Sequence, residues 1–478
     1  MIVNASPELA ASGLLQRMPE MSAFRTLGRS QAWILLALTV GLVISLAAAP
    51  LPALIAVNAL CTLAYGLVLA YGVLWFLRLF APLQLVTVTD LEARALSPSE
   101  LPAYTVLVAA YHEGPVIHET IRALEALDYP VGRLEIKLLL EADDTETLEA
   151  AMKAAPAPHI EIVQVPYNLP RTKPKACNYG LQSARGELVT LFDAEDRPDP
   201  LQLRRAAAAF ARLDPSVACL QARLHYHNPE QNFITRLFAA EYITWFDRML
   251  PALPGMAAPV PLGGTSMHIR REVLERVGGW DPHNVTEDAD LGVRLNRLGY
   301  RTRLLDSVTY EEANSDFINW IKQRSRWYKG YLQTWLVHMR EPARLWRELG
   351  PAGFIGLNVV VGATPVVALL NPLFWIVFLS WFAGRLEIVE ALFPAWVLYP
   401  AIACALLGNA LALVRTAVSV RAAGHSELLP WLLLMPVYWM MMSLAAVRAF
   451  AQLLVSPWHW EKTTHGLSPD FLLEGPGK

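Results

Sequence analysis

The sequence has few cysteines and little charge. Its four cysteines, Cys61, Cys177, Cys219 and Cys404, are scattered and lack the spacing of a metal site, which also excludes a disulfide-stabilised scaffold. Only 17% of the 478 residues are charged, against about 25% in soluble proteins, and the formal net charge is −3. A disordered chain and a nucleic-acid binder that relies on bulk positive charge are therefore excluded.

The charge that is present lies mostly in the middle of the chain. Residues 1–89 carry six charged side chains and residues 351–478 carry twelve. Residues 90–350 hold the rest, about one charge in four residues, which is the usual density for a soluble domain. The sequence therefore predicts a soluble domain between two apolar flanks that are suited to a membrane.

The N-terminal flank predicts two membrane-spanning helices, at about 32–51 and 55–78, with a hinge near Ala49-Pro50-Leu51-Pro52. A cleaved signal peptide is the alternative, but the first apolar run is too long and a second follows it directly. The basic residues before the first span are Arg17, Arg25 and Arg29. They predict a cytoplasmic N-terminus, and two crossings then return the chain to the cytoplasm.

Residues 104–192 follow the pattern of a parallel α/β sheet. Buried strands are predicted at 104–110, 134–140, 160–165 and 188–192, with a helical stretch at 116–127. Three of these strands are followed by polar clusters, and ligands of such sheets bind at the carboxyl ends of strands, where we expect a nucleotide. The sequence has neither a Gly-x-Gly-x-x-Gly motif nor a P-loop, which disfavours a dinucleotide or ATP.

Two acidic turns are candidates for chemistry. Asp193-Ala194-Glu195-Asp196 follows the fourth strand, where two carboxylates one residue apart can bind Mg²⁺ or Mn²⁺; the alternative is a helix cap before Pro198. Thr286-Glu287-Asp288 begins an amphipathic helix. It is read either as an ordinary capped helix start or as the site where Asp288 accepts a proton from an attacking hydroxyl.

A basic and aromatic segment, Gln323-Arg324-Ser325-Arg326-Trp327, precedes the C-terminal flank. One interpretation is an amphipathic helix at a membrane surface. The other is a binding platform, on which the ring of Trp327 stacks a sugar and the guanidinium of Arg326 contacts a phosphate.

These signatures, in this order and between apolar flanks, resemble the processive family 2 glycosyltransferases: cellulose, chitin and hyaluronan synthases and bacterial exopolysaccharide β-glucan synthases. The resemblance extends from about Thr105 to Gly466. It implies an α/β GT-A glycosyltransferase domain, with a mixed, mainly parallel sheet, inserted between α-helical transmembrane segments. The implied parts are a cytoplasmic leader at 1–31, two transmembrane helices at 32–80, the catalytic domain at 90–345, C-terminal transmembrane and interfacial helices at 346–456, and a cytoplasmic tail at 457–478.

The resemblance also implies residue roles. Nucleotide-sugar binding falls to residues at the strand ends and on the platform: Tyr111, Glu113, Asp143, Asp144, Lys175, Asp193 and Arg326. Asp193 and Glu195 stand where a metal-binding Asp-x-Asp is usual, which leaves open whether Glu195 or Asp196 completes a site for Mg²⁺ or Mn²⁺. Asp288 matches the catalytic base. Acceptor binding falls to Glu287, Gln323, Arg326 and Trp327.

The segment Trp460-Glu-Lys-Thr463-Thr464-His465-Gly466 is similar to the gating loop of this family. His465 replaces a lysine there, and with a reference pKa of about 6.5 it would be mostly neutral at pH 7. A cytoplasmic tail requires an even number of crossings after the catalytic domain. We favour spans at about 367–384 and 395–416, with interfacial or re-entrant helices at 353–365 and 430–455; two further spans in place of those helices keep the same parity.

We therefore expect a multi-pass protein of the bacterial inner membrane that polymerises a β-glycan, with UDP-glucose as the favoured donor and β-glucan as the product. Its expected partners are the UDP-sugar, the growing polysaccharide, the lipid bilayer and export partners in the periplasm or outer membrane, with no nucleic acid. Two alternatives stay open: non-processive sugar transfer to a polyprenyl phosphate lipid, and a non-enzymatic membrane receptor or transporter with a degenerate nucleotide fold.

Overall fold

The computed structural model describes residues 5–384 and 387–461. Within these residues nine strands form one sheet: β1 (Leu85–Val86), β2 (Tyr104–Ala110), β3 (Leu134–Glu141), β4 (Ile160–Val165), β5 (Leu188–Phe192), β6 (Arg197–Pro198), β7 (Val217–Tyr226), β8 (Met267–Arg270) and β9 (Arg301–Glu311). The four predicted strands are confirmed, with β3 one residue longer than expected. The two longest strands, β7 and β9, were not predicted.

The sheet is mixed and mainly parallel. Its order is β1-β9-β7-β8-β5-β2-β3-β4, and β6 pairs with β9. Strands β2, β3, β4 and β5 run parallel to one another, whereas β8 runs antiparallel between β5 and β7. The parallel strands therefore present their carboxyl ends, and the loops that follow them, at one edge.

Helices cover both faces of this sheet because its central strands are apolar on both sides. Val106 and Val108 of β2 pack into a cluster with residues of the helices Ile117–Glu125 and Gln202–Arg212. Leu107, which points to the opposite face, packs into a second cluster with the helix Lys173–Leu181. The remaining helices around the sheet are Asp90–Ala95, Thr145–Lys153, Phe233–Tyr242, the π-helical Ile243–Met249, Arg271–Arg276, Glu287–Arg297 and Phe317–His338.

Among the described residues, five helical segments are long and apolar enough to cross a membrane: Arg29–Ala48, Pro50–Arg78, Pro342–Ser380, Ala395–Ala422 and Ser426–Val455. The first two agree with the predicted pair, and the break falls at Ala49, within the predicted hinge. The segments 353–365 and 430–455, which we expect to be interfacial or re-entrant helices, belong to the helical runs Pro342–Ser380 and Ser426–Val455, which are long enough to cross a membrane; their placement relative to the membrane stays a prediction. The first of these runs contains the π-helical turn Asn358–Ala363 before the helix Thr364–Ala383.

The N-terminal segment packs on the soluble domain. The helix Pro7–Arg17 lies beside the helix Lys173–Leu181, where the Asn178 side chain donates to the carbonyl of Ala10. The backbone N–H of Ala23 donates to Asp281, and the carbonyl of Ala23 accepts from the indole of Trp458. This segment therefore contacts both the soluble domain and the chain that follows the last long helix.

Candidate active site

A cavity of about 330 Å³ lies at the carboxyl ends of the parallel strands. It is bordered by the residues after β2 and β5, by the start of the helix Glu287–Arg297, and by the helix Phe317–His338. Most of the predicted site residues line it: Tyr111, Glu113, Asp193, Glu195, Glu287, Asp288, Gln323, Arg326, Trp327 and Trp460. Five separated segments therefore meet over one cavity, among them the predicted signatures that contain Asp193, Asp288 and Trp327.

The three carboxylates in the turn after β5 lie in two different environments. Asp193 and Glu195 line the cavity. Asp196 is 3% exposed and accepts hydrogen bonds from the backbone N–H of Asp193 (2.7 Å) and from the hydroxyl of Thr265. Because Asp196 shapes the turn from behind, Glu195 is the residue that shares the cavity with Asp193.

The carboxylates of this turn suit a divalent cation. Burial and the neighbouring Asp193 raise the pKa of Glu195 well above its usual range. An oxygen donor set with this excess of negative charge fits Mg²⁺ or Mn²⁺, which prefer carboxylate ligands. Within residues 5–384 and 387–461, no three His, Cys, Asp or Glu side chains are close enough together to enclose a metal ion. A cation bound here would therefore take its other ligands from the diphosphate or water.

Lys175 lies outside the cavity, contrary to the expected diphosphate contact. Its side chain is 1% exposed, and its ammonium group bonds the carboxylate of Glu141 (2.9 Å) and the carbonyl of Asn168. Lys173, two residues earlier, lines the cavity and pairs with Asp193 and the carbonyl of Gly264. The nearby carboxylate of Asp193 raises the pKa of Lys173 above its usual range despite the opposing effect of burial. Lys173, the first residue of the helix Lys173–Leu181, therefore faces the cavity, whereas Lys175, the third residue, is buried.

The pair Asp143-Asp144 also differs from the expectation. Asp144 is 2% exposed and caps the helix Thr145–Lys153, since its side chain accepts from the N–H groups of Thr147 and His112. Asp143 forms an ion pair of 2.7 Å with Arg171. The two aspartates lie behind the cavity wall, and Arg171, which donates to the Tyr111 hydroxyl at 2.6 Å, is the side chain between Asp143 and the cavity.

Glu287 and Asp288 enter the cavity at the first turn of their helix. Burial is the main cause that raises the pKa of Glu287 to about 7 and that of Asp288 to about 6. The backbone N–H of Ala289 donates to Asp288 Oδ1 at 2.7 Å, which leaves Oδ2 facing Gly264. A carboxylate with a raised pKa that borders a cavity is suited to accept a proton near neutral pH.

The platform residues Gln323, Arg326 and Trp327 lie on one helix, Phe317–His338, which we call the platform helix. Two buried side-chain atoms, Gln323 Oε1 and Arg326 Nε, have no hydrogen-bond partner among residues 5–384 and 387–461. The Trp327 ring lies 6.2 Å from the ring of Tyr242 in a stacked arrangement. The guanidinium of Arg326 lies 4.6 Å from the ring centre of Trp460. The polar groups of Gln323 and Arg326 are therefore available to a ligand, beside an aromatic wall.

The tail is described as far as residue 461, so Thr463, Thr464 and His465 lie outside the described residues. Its first part is held against the platform helix. Lys329 donates to the carbonyl of His459 at 2.6 Å, and Gln333 donates to the carbonyl of Pro457 at 2.9 Å. These bonds hold the chain where Trp460 can border the cavity.

Sequence reasoning missed two acidic residues that line the cavity, Glu141 at the end of β3 and Glu311 at the end of β9. Burial and the carboxylates of the Asp193 turn raise the pKa of Glu311 well above its usual range. A strand pattern in 301–311 that ended at Glu311 was the available signal. Glu311 lies near Asp193 because of the order of the strands in the sheet, which the spacing of the two residues in the sequence could not predict.

Two further cavities continue from this one. The next, of about 170 Å³, shares Tyr242, Gly263, Thr286, Asp288 and Trp327 with the first. A third, of about 350 Å³, shares Glu241, Trp245, Arg324, Tyr328 and Thr364 with the second and lies among the long apolar helices. Its wall also carries Asn371, Asn409 and Arg415, and Tyr65 on the same wall belongs to an apolar cluster with Phe374, Ala401, Cys404 and Ala405.

Comparison with known families gives residues 102–330 a match to the model described as "Glycosyltransferase like family 2". Residues 102–330 form a family 2 glycosyltransferase domain. This match and the likeness to a solved glycosyltransferase given below confirm the predicted GT-A fold class.

Three known proteins show how far the likeness extends. A probable glycosyltransferase of Bacillus subtilis (strain 168) is 27% identical over 236 residues, which are 48% of this chain and 56% of the relative. The chain thus spans about half the length of that relative. A beta-monoglucosyldiacylglycerol synthase of Synechocystis is 26% identical over 424 residues, 82% of each chain. A mannosyltransferase from Pyrobaculum calidifontis, solved with GDP-Man and Mn²⁺, has a TM-score of 0.51 at 22% identity and covers 84% of this chain and 99% of its own.

Proposed function

We propose that this protein is an inverting glycosyltransferase that polymerises a β-glycan, with UDP-glucose as the donor and β-glucan as the product, and passes the polymer into the membrane. The observation that carries the proposal is the series of three adjoining cavities between Asp288 and the long apolar helices. Aromatic side chains line it throughout, among them Trp327, Tyr328 and Trp439. Flat aromatic faces with intervening polar groups are suited to a chain of sugars.

The proposed reaction is a single displacement. Asp288 takes the proton from the acceptor hydroxyl as its oxygen attacks the anomeric carbon, and the bond from that carbon to the diphosphate breaks, so that UDP leaves with the electron pair. Lys173 and Arg326, both cations at the cavity wall, would stabilise the charge on the leaving diphosphate. Mg²⁺ or Mn²⁺ held by Asp193 and Glu195 would supply further charge stabilisation when bound.

We propose that the nucleoside is bordered by Tyr111, Glu113 and the Arg171–Asp143 pair. The acceptor is bordered by Gln323 and Trp327. Glu287 lines the same cavity beside Asp288. We propose that Asp144 acts through the backbone of His112, which it holds, since its own side chain is buried. The role first expected for Lys175 passes to Lys173.

The position of Trp460 supports a tail on the same side of the membrane as the catalytic domain. Trp460 borders the same cavity as Asp193, so the chain from residue 342 to residue 460 leaves and returns on one side. This requires an even number of crossings, and one of the three C-terminal runs then lies along the membrane surface. We propose Ser426–Val455 for that position, because Tyr438 and Arg448 within it bond Glu241 and Glu461.

Purified protein in lipid nanodiscs, supplied with radiolabelled UDP-glucose, UDP-N-acetylglucosamine or GDP-mannose and with Mg²⁺ or Mn²⁺, tests the proposal. We expect an alcohol-precipitable product from UDP-glucose that a β-glucanase digests. Translocation is tested in inverted vesicles, in which the polymer should become enclosed and resist added β-glucanase. Polymer that stays wholly accessible would contradict translocation, and the lack of any polymer would contradict the polymerase assignment.

A second candidate is the transfer of one sugar to a membrane lipid. It is favoured by the likeness over 82% of both chains to an enzyme named for the glucosylation of diacylglycerol. The position of the third cavity among the long apolar helices also suits an acceptor that enters from the membrane. In the same assay this function gives an organic-extractable product in place of precipitable polymer.

A further inference from the structure

An ion pair lies at the junction between the second and third cavities. Both cavities are lined by Glu241, at the end of the helix Phe233–Tyr242, and by Arg324, on the platform helix. Arg324 donates twice to Glu241, at 2.9 and 2.5 Å, and the hydroxyl of Tyr438 donates to Glu241 at 2.6 Å. We call Glu241, Arg324 and Tyr438 the neck.

The neck also touches the acceptor platform. The Arg324 guanidinium lies 4.7 Å from the ring centre of Trp327, and 5.2 and 5.3 Å from those of Phe238 and Trp320. Glu241 therefore balances the charge of Arg324, and aromatic rings pack against the flat faces of its guanidinium. It is 8% exposed, so it has little surface left for a ligand.

Glu241 is different, because 26% of its side chain is exposed and this surface faces the cavities that it lines. Its two oxygens accept three hydrogen bonds in all, and two carboxylate oxygens have about four acceptor sites. The carboxylate can therefore accept from a hydroxyl in the passage while it keeps its bonds to Arg324 and Tyr438. The π-helical turn that follows it places Trp245 beside the same passage.

We propose that Glu241 is a sugar-binding residue of a second acceptor subsite, which holds a neutral sugar behind the one that Trp327 carries. The inference rests on the proposed polymerase function and specifies its acceptor. Arg324 balances the charge of Glu241, so the neck offers a hydrogen-bond acceptor without net charge. A sugar that bears a carboxylate or phosphate would meet the Glu241 oxygens and be disfavoured.

The subsite predicts an effect on product length. A polymerase releases its chain when the acceptor dissociates before the next addition, so a weaker acceptor subsite shortens the product without weakening the donor site. A hydrogen bond to a charged group contributes enough that its loss should speed release about tenfold or more. Glu241→Gln keeps the shape and one acceptor oxygen for Arg324 but removes the negative charge.

The test compares wild type, Glu241→Gln, Tyr438→Phe and Glu348→Gln in nanodiscs with labelled UDP-glucose. Tyr438 is fully buried, so Tyr438→Phe removes one bond to Glu241 and leaves the carboxylate in the passage. Glu348→Gln weakens a second Arg–Glu pair between helices, that of Arg297 and Glu348, which borders none of the three cavities. The measurements are UDP affinity, the KM for the donor, melting temperature and product length.

We expect Glu241→Gln to shorten the product about tenfold, Tyr438→Phe, which removes one bond that holds Glu241, to shorten it less, and Glu348→Gln to leave its length unchanged. UDP affinity and donor KM should stay within about twofold of wild type. A neutral glucan oligosaccharide should compete with the growing chain, and a uronate oligomer of equal length should not. Products of equal length from Glu241→Gln and wild type would overturn the subsite, and so would equal shortening in all three variants, which indicates loss of packing. If wild type makes no polymer from any donor, the polymerase proposal itself fails and the subsite falls with it.

Discussion

The guanidinium of Arg326 and the indole of Trp460 stack at 4.6 Å across the cavity, although 134 residues separate them in the chain. The contact joins the platform helix to the segment that follows the last long helix. Lys329 and Gln333, one and two turns further along the platform helix, bond the backbone of the same segment. The platform helix therefore carries the acceptor platform on its first half and the root of the tail on its second.

Loss of the Trp460 ring should weaken nucleotide binding. A cation stacked on an aromatic ring contributes about 0.5–1 kcal/mol at exposed sites, which corresponds to roughly two- to fivefold in affinity. We expect Trp460→Ala to raise the KM for the donor by about this factor, and Trp460→Phe, which keeps an aromatic face, to raise it less. An unchanged KM in Trp460→Ala, measured as UDP release, would show that the stack has no part in donor binding.

Replacement of Asp288 tests the catalytic base. Asp288→Asn keeps the size of the side chain and cannot take a proton, so the turnover number should fall about 10²- to 10⁴-fold. UDP affinity, measured by calorimetry, should stay close to that of wild type because the nucleotide contacts are made by other residues. Full turnover in Asp288→Asn would remove Asp288 from the mechanism.

The same residue predicts the pH dependence of the reaction. Burial raises the pKa of Asp288 to about 6, and only the deprotonated form accepts a proton. Turnover should therefore be constant above that value and fall as the pH is lowered through it, to about one tenth of the plateau at pH 5. The measurement is a pH–rate profile at saturating donor; a flat profile from pH 8 to pH 5 would contradict the assignment.

Gly264 makes room for Asp288. It has φ +84°, and a Cβ atom there would lie 2.9 Å from Asp288 Oδ2. Gly264→Ala should displace the carboxylate and lower turnover at least about tenfold, since catalytic groups lose efficiency when misplaced by even 1 Å.

Gly299 supplies the matched control for this substitution. It has φ +85° and open space around its Cβ position. Gly299→Ala should cost a similar amount of folding free energy, about 1–2 kcal/mol, without loss of turnover. If the two variants lose turnover equally, backbone strain and not contact with Asp288 is the cause.

The metal site is tested by chelation and by two carboxylate variants. EDTA should abolish turnover and Mn²⁺ or Mg²⁺ should restore it. Glu195→Gln should raise the Mn²⁺ concentration for half-maximal rate about tenfold or more, because one of two charged ligands is lost. Asp196→Asn, whose side chain bonds the turn from behind, should leave that concentration nearly unchanged. The opposite ranking would exchange the roles of Glu195 and Asp196.

The sequence was sufficient for the strands that are buried on both faces and for the family of the domain. β2 and β5 have the predicted bounds because short apolar runs bordered by polar turns are typical of strands buried on both faces. The edge strand β4 is partly exposed and also has the predicted bounds. Polar and charged residues interrupt β9 and the second half of β7, such as Asp306 and Arg223, so neither strand is one apolar run. Their place between β1 and β8 depends on pairing between distant segments.

Within the site, the sequence identified the segments better than the individual side chains. In the helix Lys173–Leu181, the motif indicated Lys175, but rotation about the helix axis brings Lys173 to the cavity and buries Lys175 against Glu141. The same applies to Asp144, which the motif indicated as a nucleotide contact but whose side chain caps the helix Thr145–Lys153. Glu241 carried no signal at all, because its relation to Arg324 and Tyr438 depends on the packing of three helices.

The cluster of Tyr65, Phe374, Ala401, Cys404 and Ala405 joins three long helices, Pro50–Arg78, Thr364–Ala383 and Ala395–Ala422, through apolar side chains. Where such helices cross an energised membrane, an aqueous path between them would dissipate the ion gradient while the enzyme is idle. Packed hydrocarbon between these helices would oppose that leak.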